Sequence, residues 1–587
     1  MNYSLNKPTK RIKGRRKMFV SLRNLLSIIS AERSKLTIAF VAILFNAGLS
    51  LTGPYILGYT IDAHVQTKNY QGVLLFAGIL LLIYVCAYIL NNVQIRMMGS
   101  IGQRLLFRVR NTVFEKLQEL PFDFFNQNKS GDLISRINND TDKLNQFFSQ
   151  SLMQFISSLI MMTGAGVFLL SINLTLGLAT LTPTIILLII TTSISPWIRR
   201  KNEATLKSLG NMSAEIQEGL ANFKVIVSFN RRDYFRKRLG EVNRENYKIS
   251  IKAGIANSIL MPIYTFASNI GQLIVLSLGI WLIIQGRFTV GLLISFIAYV
   301  SNFYNPLRQI ANLWASFQLT LAAWDRISHL LSLKSNLQIE KIKDETSTSS
   351  LVKFQDVSFM YPNGKEVLKH VNFELQRGKT YAFVGPTGGG KTTTASLISR
   401  LYDATKGNIL LDGKNINTYT DCERASKIGF ILQDPILFSG TFRENILYGN
   451  SDCGGITNKE LEHRLESAKL TNLLDKFEKG LETPVDMSGD SISLGQKQII
   501  AFMRAILRNP KLLILDEATA NIDTITEQQL DIIIRNLPES TTKVIIAHRL
   551  STIENADEIF FVNSQKIIAA GSFDEALELL MKEKGEN

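Results

Sequence analysis

The stretch Gly385-Pro-Thr-Gly-Gly-Gly-Lys391-Thr392 stands between the apolar run Tyr381-Ala-Phe-Val384 and a helical pattern from Thr393 to Leu401. Strand, glycine-rich turn and helix, in that order, are the context in which GxxxxGK[ST] cradles phosphate. Gly385, Gly388, Gly389 and Gly390, with Pro386 and Thr387 among them, allow backbone N–H groups to close around phosphate oxygens at a helix N-terminus. Lys391 is placed to neutralise the β and γ phosphates, Thr392 to ligate Mg2+, and Thr393 continues the phosphate-binding helix start. A glycine-rich turn with no ligand is the bland alternative, and the lysine in this context argues against it.

Downstream, Leu512-Leu-Ile-Leu515-Asp516-Glu517 reads as a buried strand ending in two carboxylates. Asp516 would hold Mg2+, and Glu517 would polarise an attacking water as general base. Further β-type runs at Val352 to Phe359, Ile428 to Leu432 and Lys543 to Ile546 alternate with helical stretches. That alternation predicts an α/β domain built around a largely parallel sheet.

Upstream, the chain changes character. Of its 587 residues, 46% are hydrophobic and 20% charged, which suits a mixture of membrane-embedded and water-exposed parts. Six apolar stretches reach the roughly 20 residues a bilayer requires: Leu36 to Leu57, Gly72 to Leu90, Leu152 to Ser171, Leu174 to Ile194, Ile259 to Ile284, and Val290 to about Ala311. Residues 1–340 hold 36 Lys and Arg against 16 Asp and Glu, whereas the remainder is acidic with 29 against 34. The basic excess lies in a leader before the first span and in two long connections of roughly 60 residues, after spans 2 and 4. That asymmetry follows the positive-inside rule and places leader and long loops in the cytoplasm, so the pI near 9.5 does not indicate nucleic-acid binding. Apolar spacing through Leu105, Val109, Val113 and Leu117 predicts that spans continue as helices into the cytosol, with short crossing helices at Ser130 to Asp142 and Ser228 to Tyr234. Polar residues within the spans read as neutral, for example Asn46, Asn269, Gln272, Asn302 and Asn305. Cys86, Cys422 and Cys453 form no CxxC and have no zinc-like spacing.

Ile492-Ser493-Leu494-Gly495-Gln496, about twenty residues before Asp516, resembles the LSGGQ signature of ATP-binding cassette (ABC) ATPases. Other family marks follow in order: Tyr361 for the adenine-stacking aromatic, Gln433 for the glutamine that senses Mg2+, Ala520-Asn-Ile-Asp523 for the D-loop, and His548 for the switch histidine. Gly53-Pro54 and Ile61-Asp62 around span 1 resemble the type IV exporter fold. The resemblance implies an α-helical six-span transmembrane domain followed by an α/β P-loop nucleotide-binding domain. Its divisions are a basic leader (1–35), a transmembrane domain (36–320), a helical extension and linker (321–350) and the nucleotide-binding domain (351–587).

In this family the signature acts on ATP held by the opposite domain, so one chain cannot complete a site. The resemblance therefore implies a half-transporter that dimerises, uses ATP and Mg2+ (the metal at Thr392, Gln433 and Asp516), and employs Glu517 and His548 in hydrolysis. Leu494 replaces a signature glycine, Ile492 replaces leucine, and Met487 stands where the preceding TxVGExG motif has glutamate. This combination is similar to the subunit of heterodimeric exporters that keeps the catalytic glutamate, so a second half-transporter is expected as partner and a homodimer is the alternative. The expected cargo is amphipathic or lipophilic, of multidrug or lipid type, exported across a bacterial cell membrane. A peptide exporter, importer or signalling partner on the same fold remains open at this point.

Overall fold

The computed structural model describes residues 3, 5, 32–334, 349–362, 364–450, 455–486, 492–516, 524–546, 556–570, 574–576 and 578. They divide into two compact units, one spanning 8–118 and 131–332, the other 1–7, 119–130 and 333–587.

Among the described residues the first unit is helical, and six helices there are long and apolar enough to cross a membrane. They run Arg33–Val65, Tyr70–Gln118, Ser130–Ile172, Leu174–Ala221, Arg232–Ile284 and Val290–Leu331. Each expected span lies inside one of them, and the second, at 49 residues, is about 70 Å long. Leu81, Leu82 and Tyr88 stand exposed along it, as side chains facing lipid or a partner helix do. Spans 1 and 6 are zipped together at one end. The Asp62 carboxylate accepts from Gly291 N at 2.8 Å and from the Thr289 hydroxyl, at the N-terminus of span 6. Ser295 Oγ donates to Pro54 O at 2.7 Å, and Tyr299 Oη to Leu51 O at 2.6 Å. Gly58 and Gly291 permit this approach, since a Cβ on Gly291 would stand 2.0 Å from the Gly58 carbonyl oxygen.

The crossing helices differ from expectation. The first short helix is Phe122–Gln127, and Ser130–Ser135 opens the third long helix instead. Gly131-Asp132 reads as a break in the sequence, yet an acidic residue in a first turn favours a helix start. Arg136 accordingly lies within that long helix, donating to Arg326 O at 2.8 Å. The second short helix is Phe223–Ser228, earlier than expected, and ends before Asn230, whose left-handed φ of 52° stops it.

The second unit is α/β. Its main sheet runs, edge to edge, Lys566–Ala569, Glu558–Asn563, Thr380–Val384, Thr542–Ile546, Leu512–Asp516 and Ile428–Ile431. The pairs are parallel except at the Lys566–Ala569 edge. The central strands are buried on both faces, as parallel sheets require. Leu512 and Ile514 join one core with Tyr381 and Phe383, while Leu513 and Leu515 join the other with Ala382 and Val384. A second, antiparallel sheet of Glu366–Gln376, Ser350–Met360, Lys406–Leu411 and Lys414–Asn415 covers the first core. It is an addition to the parallel sheet expected from sequence.

Candidate nucleotide site

Parallel strands bring their carboxyl ends to one edge of the sheet, and the chemistry-bearing residues gather there. Val384 ends one strand and Asp516 another, with Thr542–Ile546 between them pairing Ile546 with both Phe383 and Asp516. After Val384 the chain turns through Gly385, Gly388 and Gly390, at φ of 144°, 82° and 117°, which side-chain-bearing residues rarely adopt. Close packing adds a second demand. A Cβ on Gly385 or Gly389 would meet the Val562 carbonyl oxygen at 2.2 or 2.6 Å.

Gly390 leads into the helix Lys391–Ile398, so the first amides of that helix face the loop. Lys391 is buried, and its ammonium curls back to donate to Gly385 O at 2.8 Å and Pro386 O at 3.0 Å. A cation, a helix N-terminus and a glycine turn thus converge on one spot, the combination that favours a bound polyphosphate. Thr392 Oγ1 donates to Asp516 Oδ1 at 3.2 Å. Hydroxyl and carboxylate oxygens are the hard donors that Mg2+ prefers, so the pair fits that ion. Thr387 is exposed on the loop, and Thr393 is buried beneath it.

Tyr361 shares a hydrogen bond of 2.9 Å with Thr393 through their hydroxyls. Its ring stands edge-on to Tyr402, with centroids 5.4 Å apart, and packs against Phe359 at 4.9 Å. Tyr402 carries no motif signal, yet Asn126 Nδ2 donates to its hydroxyl at 2.6 Å and the Phe122 ring meets it at 6.0 Å. Burial raises the Tyr402 pKa, the Asn126 bond opposing this, so the phenol stays protonated at neutral pH. Pro121, Asp123, Tyr361 and Tyr402 line part of a cavity of about 340 Å³ beside the crossing helix.

Gln433 is exposed just past the strand Ile428–Ile431, whose neighbour ends in Asp516. Arg504 steadies the segment that follows, donating to Ile436 O at 3.0 Å and Asn445 O at 2.8 Å. The same arginine belongs to the helix Leu494–Ile506 that begins at the signature. There Ser493 and Gln496 form a reciprocal cap: Ser493 Oγ accepts from Gln496 N at 3.2 Å, and Gln496 Oε1 accepts from Ser493 N at 2.9 Å. Ile492 is buried in the core, a role that leucine would fill equally well. Leu494 is different: it opens the helix 41% exposed, followed directly by Gly495. Glu517, Asp523, His548 and Met487 lie outside the described residues.

In the helical unit, a cavity of about 720 Å³ opens where span 5 is interrupted between Ser258 and Leu260. Asn257, Thr265, Phe266, Asn269 and Arg308 are among its lining. Arg308 corrects the expectation that polar residues within the spans are neutral, because it falls inside the apolar stretch counted as span 6.

Residues 36–307 match the family model described as ABC transporter transmembrane region, and residues 368–520 the one described as ABC transporter. The chain belongs to the ABC transporter family: it is a multi-pass membrane protein whose ATPase is coupled to transport, and its fold is that of an exporter. It is 33% identical over 571 residues, 96% of this chain and 92% of the other, to the ABC transporter ATP-binding protein YfiC of Bacillus subtilis. A fatty acid ABC transporter ATP-binding/permease protein of Mycobacterium bovis is 33% identical over 85% of this chain and 78% of its own length. A multidrug resistance ABC transporter ATP-binding and permease protein of Lactococcus lactis is 28% identical over 96% and 95%. Among solved structures, a bacterial Atm1-family ABC exporter with ATP bound superposes with a TM-score of 0.79 at 25% identity, covering 94% of this chain and 96% of that one.

Proposed function

We propose that the chain is one half of an ATP-driven exporter of amphipathic or lipophilic molecules, paired with a different half-transporter whose own signature completes the hydrolysing site. The boundaries 1–35, 36–320, 321–350 and 351–587 are its working divisions. Leader and nucleotide-binding domain lie on the cytoplasmic side of a cell membrane, in line with the basic loops.

At the site, Tyr361 stacks on the adenine and the amides of Gly385 to Thr393 hold the phosphates, with Lys391 on the β and γ groups. Mg2+ at Thr392, Asp516 and Gln433 supplies charge neutralisation. Glu517 takes a proton from the attacking water, His548 holds the γ-phosphate, and Asp523 contacts the partner domain. Ser493, Leu494, Gly495 and Gln496 face the nucleotide of the partner. ATP drives transport only through a difference in affinity between the closed and open states of the dimer.

The observation that carries the asymmetric reading is the exposed Leu494 side chain at a helix start where the family keeps glycine. A branched side chain there covers an amide that would otherwise reach phosphate. The intact Lys391, Thr392 and Asp516 cluster supports the other half of the reading, an ATP site that needs only a better signature from outside. The mixed lining of the cavity near Arg308, and relatives named for fatty acids and for multidrug resistance, support an amphipathic cargo. The test is to purify the chain alone and together with the products of neighbouring transporter genes. Full ATPase activity from the chain alone would overturn the heterodimer.

A further inference from the structure

Far from the nucleotide in sequence, Tyr3 is only 2% exposed. It is clasped by the end of the crossing helix Phe122–Gln127. Tyr3 N donates to Gln127 Oε1 at 2.8 Å, Tyr3 O accepts from Asn128 Nδ2 at 3.0 Å, and Leu5 N donates to Asn128 Oδ1 at 2.9 Å. Two side-chain amides thus imitate the edge of a neighbouring strand.

Their orientation is set by their other partners. Gln127 donates from its NH2 to the Asp123 carboxylate at 2.9 Å, which leaves its amide oxygen for Tyr3. Asn128 likewise gives its NH2 to Phe124 O at 2.8 Å as well as to Tyr3 O. The Tyr3 ring meets the fully buried Phe124 edge-on at 6.3 Å, and its hydroxyl donates to Lys334 O at 3.1 Å. Lys334 lies just past the end of the helix Val290–Leu331, where the chain leaves the membrane-spanning part. One residue therefore bridges a crossing helix and the start of the linker.

We propose that Tyr3 is a positioning residue for energy coupling: residues 3–5 staple the crossing helix to the linker, so that this helix moves with the nucleotide-binding unit. The other side of the helix gives the staple its consequence. Asn126 and Phe122 hold Tyr402, Tyr402 braces Tyr361, and Tyr361 bonds Thr393 in the phosphate-binding helix. Removing the staple takes away the Tyr3 and Leu5 hydrogen bonds at the end of the crossing helix and leaves the Tyr402 contacts in place. A six-residue helix has little stability of its own, so anchoring on both sides decides whether it transmits a push or yields to it. The proposal rests on the transport reading above, but part of its test does not.

Three versions of the full chain serve as the test: native, Tyr3→Ala and Tyr3→Phe, each in lipid vesicles with its partner subunit. Hydrogen exchange over residues 122–128 reads the staple without any transport, and it should quicken about tenfold or more in Tyr3→Ala. Tyr3→Phe keeps the backbone ladder and the ring, gives up the hydroxyl's bond to Lys334 O, and should stay within about threefold of native. With rhodamine 6G as probe, Tyr3→Ala should lower dye moved per ATP hydrolysed severalfold while hydrolysis persists, and Tyr3→Phe should restore most of it. Unchanged exchange in Tyr3→Ala or an unchanged dye-to-ATP ratio overturns the proposal. If the native protein hydrolyses ATP without moving dye while exchange still responds to Tyr3→Ala, the transport reading fails and the staple stands.

Discussion

Replacing Leu494 by glycine tests the proposed asymmetry of the ATP sites at its source. The side chain is 41% exposed at the first position of the helix Leu494–Ile506. Full burial of a leucine contributes about 1.5–3 kcal/mol, so its covered part contributes about 0.9–1.8 kcal/mol to folding. Glycine in a helix costs up to about 1 kcal/mol more in chain entropy. Leu494→Gly should therefore lower stability modestly without unfolding the domain. The opposing effect falls on nucleotide binding. An uncovered amide that reaches a phosphate oxygen makes a charge-assisted hydrogen bond of about 1.5–3 kcal/mol, which is roughly tenfold to a hundredfold in the closed, nucleotide-bound dimer. The assay is ATP hydrolysis by the purified chain alone over a range of protein concentrations, with thermal unfolding as the control. Activity per chain should rise about tenfold or more as closed dimers of this chain become populated. Activity that stays flat or falls in a variant that remains folded would refute the claim that Leu494 obstructs the site.

Glu517→Gln should leave ATP binding within about twofold and remove nearly all hydrolysis, checked by nucleotide binding and phosphate release on the same preparation. Arg308→Gln should weaken export of an anionic amphiphile such as a pyrene-labelled fatty acid severalfold while sparing a neutral lipophilic dye, read as competing fluxes in vesicles. Asp412 is the acid-sensitive element: burial raises its pKa, but hydrogen bonds from Lys427 at 2.7 Å, from Arg377 and from Lys511 at 3.0 Å outweigh burial and hold it well below the usual carboxylate range. A depressed folded pKa stabilises above the unfolded value near 3.9, and that contribution is lost as pH falls toward the folded value. Asp412→Asn should therefore be less stable than native at pH 7, and the gap should narrow below about pH 4 in unfolding measurements.

The phosphate loop is legible in sequence because its conformation leaves little choice of residue: left-handed φ at Gly385, Gly388 and Gly390 and the close approach of Val562 O exclude side chains. The spans are legible for a related reason, since the bilayer demands length and apolarity that few other structures need. The antiparallel sheet is less so. Its strands Ser350–Met360 and Glu366–Gln376 pair through several register shifts, and Asp356 and His370 adopt left-handed φ of 52° and 51°, so strict alternation breaks down. The crossing helix Phe122–Gln127 is too short for a helical period to emerge, and Pro121 before it marks the start more faithfully than Gly131 does. Tyr402 and Tyr3 act through contacts made between residues far apart in the chain, which no local pattern announces.

The most direct measurement is ATP-dependent uptake of rhodamine 6G into inside-out membrane vesicles containing the chain and its partner, beside the same vesicles with Glu517→Gln. Uptake that requires ATP outside the vesicle and vanishes in the variant is the predicted result. Hydrolysis without uptake, or uptake that persists in Glu517→Gln, would contradict an exporter driven from this nucleotide site.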